Sequence, residues 1–367
     1  MLALASVIIP TQARGQSGAL SGQASMWLLS KPDTAPISQA GLRYIPELAL
    51  QRPLWDSTAA QLDLSVNTFA TGAYGKGRAS QYDAGMRLYR AWLNVATHTF
   101  ETRIGVQRIN FGSATLFRPL MWFDRVDPRD PLQLTDGVKG VLARYSLRNN
   151  ANVWGWALYG NGQPTGWETA ATADRTVEYG GRIQAPVPAG ELALTYHHRD
   201  AELHPATGAA VPEDRFGLDG KWNIGVGIWG EGALVHDSTD SVSLRYQRFW
   251  TVGADYTFGI GNGLYVLMEF SRIESSMSPL GAATGVSFSG LSMNYPIGIL
   301  DRFSAIVYYN WQANQWYRIV TWRRAYDRWA FYLFAFWNPG VLTGLTAQIQ
   351  SQTFAGRGIE LIASFNH

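Results

Sequence analysis

The chain has 367 residues, a formal net charge of +2 and charged residues at only 16%, well below the roughly 25% usual in soluble domains. The near-neutral balance leaves no basic patch of the kind that holds nucleic acid, and the lack of cysteine excludes disulfide scaffolds, thiolate metal sites and cysteine nucleophiles. No run of 18 or more apolar residues occurs, which argues against a helical membrane protein. Glycine is abundant at 38 residues and aromatics reach 13%. Only Lys31, Lys76, Lys139 and Lys221 of the 30 basic residues are lysines; the arginine bias suits fixed charges or reflects base composition.

The first residues are apolar from Met1 to Pro10 and continue Thr11-Gln12-Ala13. This reads as the end of a secretory signal with cleavage after Ala13, although no basic segment precedes it; an ordinary apolar segment is the alternative. Residues 1–13 are therefore taken as a signal remnant and 14–38 as an N-terminal lead-in, with Gly22–Ser30 a weak strand or part of that lead-in. Residues 39–367 are taken as one barrel domain with a long loop at 112–137.

Alternation of apolar and polar residues then recurs along the chain, the period expected of strands with one wet face. Gly41–Gln51 and Ala59–Thr71 make the first pair, followed by Arg87–Thr97 and Phe100–Phe111 with almost nothing between them. After the long loop come Val138–Arg148, Asn152–Tyr159, Val177–Val187, Glu191–Arg199, Phe216–Ile224 and Val226–His236. Leu244–Phe258 is the most telling stretch. Its even positions are apolar except for Arg248, its odd positions are mostly polar, and aromatics lie near both ends. It is longer than the usual globular strand of about 5–6 residues and long enough to cross a bilayer, which takes roughly 9–11. Leu264–Arg272, Val286–Tyr295, Arg302–Trp311, Trp316–Arg324, Trp329–Trp337, Thr343–Ser351 and Arg357–Asn366 complete the series. Short turns near His98, Asn149, Pro188, Gly225, Ile260 and Ile297 alternate with longer loops, as in barrels with short periplasmic turns and long outer loops.

The whole chain resembles a bacterial outer-membrane porin-type β-barrel. The resemblance rests on the alternating strands, the Tyr/Trp/Phe girdles, the signal-like start and the amphipathic last strand with Ile359, Leu361, Ala363 and Phe365 on one face. It implies an all-β fold, a transmembrane antiparallel up-and-down barrel of about 16–18 strands with an even count. It implies location in a bacterial outer membrane, and passage of small polar solutes or ions. It extends to architecture and assigns no subfamily or solute.

With apolar faces toward lipid, the opposite faces line the lumen. Parity then places Arg103, Arg144, Arg148, Glu178, Arg182, Asp219, Lys221, Glu231, Arg245, Asp255, Glu269 and Glu360 inside. A midplane arginine or lysine turned to lipid costs about 2–4 kcal/mol, which constrains the assignment. These charges read either as a water-filled pathway or as salt bridges that pack the lumen shut. Both signs occur in similar number, so strong ion selectivity does not follow.

The segment Gly112–Gly137 carries an aromatic cluster and the charged residues Arg118, Asp124, Arg125, Asp127, Arg129 and Asp130. A loop this long is functional or disordered, and its aromatics argue for order. It is expected to form a constriction in the lumen or a lid at the mouth. Asp124, Asp127 and Asp130 suggest calcium weakly, lacking the spacing and glycine of a calcium loop; neither metal nor cofactor is expected.

Two other function classes stay open. No G-x-S-x-G or H-E-x-x-H occurs, so an outer-membrane hydrolase would have to build its site in space; His198 is the one candidate base, with no serine partner named. The near-continuous apolar run Trp329–Trp337 suggests instead a plugged barrel that anchors or docks envelope proteins. Expected partners are outer-membrane lipids, small polar solutes or ions, further copies of the chain, or envelope proteins. Nucleic acid is not expected.

Overall fold

In a computed structural model, the residues described are 17–33, 38–55, 57–75, 80–204, 209–238, 245–340 and 354–367. They form eighteen strands: β1 (Ser17–Ser30), β2 (Ser38–Trp55), β3 (Thr58–Tyr74), β4 (Gln81–Ala96), β5 (Phe100–Gln107), β6 (Val138–Ser146), β7 (Asn152–Tyr159), β8 (Val177–Val187), β9 (Gly190–His204), β10 (Ala209–Asn223), β11 (Gly227–Asp237), β12 (Tyr246–Phe258), β13 (Leu264–Ser276), β14 (Ala283–Pro296), β15 (Asp301–Asn310), β16 (Gln315–Ala325), β17 (Trp329–Trp337) and β18 (Arg357–Asn366). Each pairs antiparallel with its neighbour in sequence, and β1 pairs with β18, so one sheet closes on itself. Closure leaves no unpaired edge, the condition a sheet must meet to stand in lipid.

The period-two pattern sets the two faces. On β18, Ile359 and Leu361 are 55% and 51% exposed, whereas Glu360 and Ser364 between and beyond them are buried. On β12 the even positions Trp250, Val252, Tyr256 and Phe258 are exposed, while Phe249 and Thr251 are buried. Arg248 joins the outer face near the strand's start, where its guanidinium donates to the Pro279 and Gly281 carbonyls and pairs with Glu274 at 3.2 Å.

Connections alternate in length, so the tight turns share one rim and the long loops the other. Turns occupy 147–151, 188–189 and 224–226, for example, and Asn150 takes φ 64° where the chain reverses. Among the described residues, 108–137 is the longest connection, and it lies on the other rim.

Two expectations change. The lead-in at 14–38 holds a full wall strand, β1, with Leu20, Met26 and Leu28 outward; its alternation reads faintly because the inward positions Trp27 and Leu29 are apolar too. Strand β12 begins at Tyr246; Leu244 lies outside the described residues, as do residues 1–13 and the expected strand Thr343–Ser351. Eighteen strands satisfy the even count.

Because β1 is bonded along both edges, to β2 and to β18, it is the closing stave of the barrel. Deleting residues 17–30 is expected to abolish folding, leaving β2 and β18 with open edges. Loss of the heat-modifiable band on a semi-native gel checks this; a folded deletion product would return β1 to the status of a lead-in.

Candidate functional site

The loop 108–137 turns into the lumen because it is too apolar to stay in water. Phe111, Leu116, Phe117, Leu120, Trp122 and Phe123 are all buried. They pack on inward-facing wall residues Leu142, Trp156, Leu158, Trp229, Phe249, Phe288 and Tyr308. Phe111 stacks on Trp156 at 5.7 Å, Phe117 lies 5.2 Å from Tyr308, and Phe123 meets the His197 ring edge-on at 4.9 Å. Each large aromatic removes roughly 150–250 Å² from water, enough to order the segment. The loop thus crosses the lumen and fills the sector bounded by β6–β7 and β10–β16.

Ordering a loop there requires partners for its backbone, and two wall carboxylates supply them. Glu231 on β11 accepts from the amides of Ser113 (2.7 Å), Ala114 (2.8 Å) and Leu120 (2.6 Å). Glu269 on β13 accepts from Thr115 (2.6 Å), Leu116 (2.9 Å) and Phe117 (2.7 Å), and from the Trp229 indole (3.0 Å). Both are 3% exposed. Both therefore lie on the buried inner face of the wall, where they hold the loop.

The loop's own charges pair locally. Arg118 donates to both oxygens of Asp124 at 3.2 Å and to Asn110, and Arg129 forks onto Asp127 at 2.8 and 2.6 Å while lying over the Phe354 ring. Asp130 accepts from the amides of Leu132 and Leu134. The three aspartates once considered for calcium therefore each have a separate partner. Arg125 projects its side chain outward from the loop, contributing its amide to Thr135 Oγ1.

Other expected lumen residues divide into three groups. Glu178, Arg182, Asp219 and Glu360 are inside and buried: Arg182 forks onto Asp219 at 2.6 and 2.9 Å, and Glu178 lies 3.4 Å from His197. Lys221 lies 5.6 Å from the centre of the Trp229 ring, and Asp255 accepts from the Tyr265 hydroxyl. Arg103 and Arg144 face inward and share Glu101, at 2.9 and 3.9 Å. Two further residues lie just past a strand end, where alternation no longer fixes the face. Arg148 sits exposed in the 147–151 turn, and Arg245 precedes β12 at the loop rim.

The structure adds residues that parity did not name. Arg43 of β2 stacks over Trp27 and lies in the field of Asp130 and Asp136 of the loop. Arg90 of β4 donates to the Thr135 carbonyl at 2.9 Å. A bulge in β4, where Ser65 pairs with Arg90 but Val66 with Leu88, flips the parity between these positions. Arg43, Arg103 and Arg144 each keep a buried Nε without a hydrogen-bond partner among the described residues. Burial pushes the Asp130 carboxyl above its usual range, against the pull of the Leu132 and Leu134 amides.

The inner face of β17 is covered: Phe334 and Phe336 pack with Phe354, Leu29 and Leu132, which explains a strand apolar on both sides. His198 lies on the outer face, with Nδ1 2.9 Å from Asp214, which also accepts from Tyr196; among the described residues no serine hydroxyl bonds to it.

The Arg182–Asp219 pair is expected to be the wall's most sensitive polar contact, since both side chains are 4% exposed. Asp219→Ala strands a buried guanidinium and is expected to cost about 3–5 kcal/mol, with the paired replacement Arg182→Met/Asp219→Leu costing much less. Urea unfolding in detergent micelles measures both.

No protein-family model and no curated protein matches the chain. Solved structures do. OccAB4 of Acinetobacter baumannii matches at a TM-score of 0.60 and 9% identity, over 97% of this chain and 100% of that one. OccAB1 of the same organism matches at 0.59 and 10%, over 96% and 95%. An anion-selective porin from Comamonas acidovorans matches at 0.54 and 13%, over 96% and 100%. At these identities the likeness establishes the fold: this chain is built as a porin-type barrel along its whole described length.

Proposed function

We propose that the chain is a bacterial outer-membrane channel. Small polar solutes and ions pass between the arginine-bearing wall of β2–β6 and the polar edge of the loop at 130–136. The observation that carries this reading is the two-sidedness of the loop. Its apolar side docks on β6–β16, and its other side brings Asp130, Thr135 and Asp136 toward Arg43 and Arg90. A gap with opposite charges on its two walls orients dipolar solutes and admits ions of either sign. The porin fold of the similar structures supports the reading.

A second reading, a plugged barrel that anchors an envelope complex, is favoured by the apolar fill around Trp122, Phe123 and Phe334. Single-channel recording in planar bilayers separates the two. The channel reading expects a stable conductance that grows when residues 116–131 are removed. Silence from both forms would leave the plugged barrel. In the conducting protein, Arg103→Gln/Arg144→Gln is expected to shift the reversal potential toward cation preference with little change in step size.

The same recordings carry a pH test. Asp130 holds its proton to higher pH than an ordinary aspartate, so acidification neutralises it sooner than an ordinary aspartate and removes a negative charge opposite Arg43. Permeability is expected to move toward anions as pH falls, and Asp130→Asn is expected to flatten that dependence. An unchanged slope in the variant would remove Asp130 from the gap.

A further inference from the structure

Glu231 and Glu269 take up between them six consecutive or near-consecutive amides of one loop, from Ser113 to Phe117 and at Leu120. Such convergence is not required by the barrel, whose strands are complete without it. The wall is shaped around the same contact. Gly112 turns with φ 100°, and a side chain there would sit 2.5 Å from Glu231 Oε2. On β14 a Cβ at Gly290 would meet Leu116 and Phe117 at 2.8 Å, and on β10 a Cβ at Gly217 would collide with Leu120. Two carboxylates, one left-handed glycine and two bare wall positions thus form a socket for residues 112–120.

We propose that Glu231 and Glu269 are the positioning residues that keep the loop docked and thereby set the width of the passage. This rests on the channel reading for its consequence, but not for the docking itself. Each carboxylate is enclosed by amide donors and shielded from the lumen. It acts by holding the loop against β10–β14, away from the arginines of β2–β6, and its charge does not reach passing ions. Replacing one carboxylate by a carboxamide turns an acceptor oxygen into an –NH2 donor that faces the loop amides, leaving at least one of them unpaired in an apolar sector, so the loop leaves the socket.

The test compares the intact protein with Glu231→Gln, Glu269→Gln and Thr115→Pro. The last deletes the 2.6 Å donor to Glu269 from the loop side and leaves the wall untouched. Folding is checked by heat-modifiable mobility. In planar bilayers the docking role predicts larger and noisier conductance steps in all three. If the two glutamates act as lumen charges, the glutamine variants keep their step size and shift the reversal potential toward anions. If they only stabilise the fold, folded variants match the parent in both readouts. Either result overturns the proposal.

Docking is also read without current. The chain has no cysteine, so Leu116→Cys, a buried position, gives a single thiol. Maleimide labelling of it is expected to be slow in the parent and fast when combined with Glu269→Gln or Thr115→Pro. Equal slow labelling would overturn the docking inference, whereas a silent parent with loop release intact would overturn only the channel reading.

Discussion

A loop folded into a barrel meets a constraint that the strands escape. Paired wall strands satisfy one another's amides through the ladder, but a segment that crosses the lumen brings amides into a space away from that ladder. Here the apolar side chains from Phe111 to Phe123 draw the segment inward, and the amides beneath them arrive unpaired. Glu231 and Glu269 answer that demand because a carboxylate has about four lone-pair sites and accepts several donors at once, with charge-assisted strength. Among the described residues neither makes a salt bridge to an arginine. Their anionic charge is matched by the partial positive ends of amides, the same balance that holds anions at helix starts.

That arrangement decides what is left for the lumen. Acidic residues on β8–β13 are consumed inside the wall or at the loop: Glu178 against His197, Asp219 against Arg182, Glu213 between Arg199 and Arg215. Glu168, from the neighbouring loop 160–176, pairs with Arg215 and Arg199. Burial nonetheless holds its carboxyl above the usual range, the arginines only partly compensating. This buried chain of alternating charges ties a second loop to β9 and β10. On β2–β6, by contrast, Glu101 serves both Arg103 and Arg144, and Arg90 reaches the Thr135 carbonyl of the loop. One side of the lumen is therefore closed by packing and buried pairs, and the other carries the arginines that face the loop edge.

The barrel was legible because its evidence is local. Alternation on Leu264–Ser276 or Arg357–Asn366 is a property of neighbouring residues, and the same alternation puts Arg182, Asp219, Glu231 and Glu269 on the face that the structure buries. Faint strands and broken parity hid the rest. β1 blurs its pattern with apolar Trp27 and Leu29 on the inner side, the β4 bulge reverses the face of Arg90, and Arg148 lies beyond the strand that seemed to include it. What Glu231 and Glu269 do could not be read at all, since their partners lie more than a hundred residues away and are backbone groups with no residue signature. The glycines of the socket carried the nearest signal, but Gly217 and Gly290 look in sequence like any small residue on a strand.

Plug and pore are usually set against each other, yet this lumen combines both. Packing and polarity are segregated along the loop: Phe111 to Phe123 occupy the apolar sector, and 130–136 form the polar edge. A loop that were apolar throughout would seal the barrel, and one polar throughout would have no reason to leave water for the lumen. Apolar burial in one half fixes the position of charge in the other. The rigidity comes from Trp122 and Phe123 packing near His197, and the chemistry from Asp130, Asp136 and the arginines across the gap. Width and charge of the gap therefore rest on different residues. Substitutions at the socket should change how much passes, and substitutions on the arginine wall should change which sign is preferred.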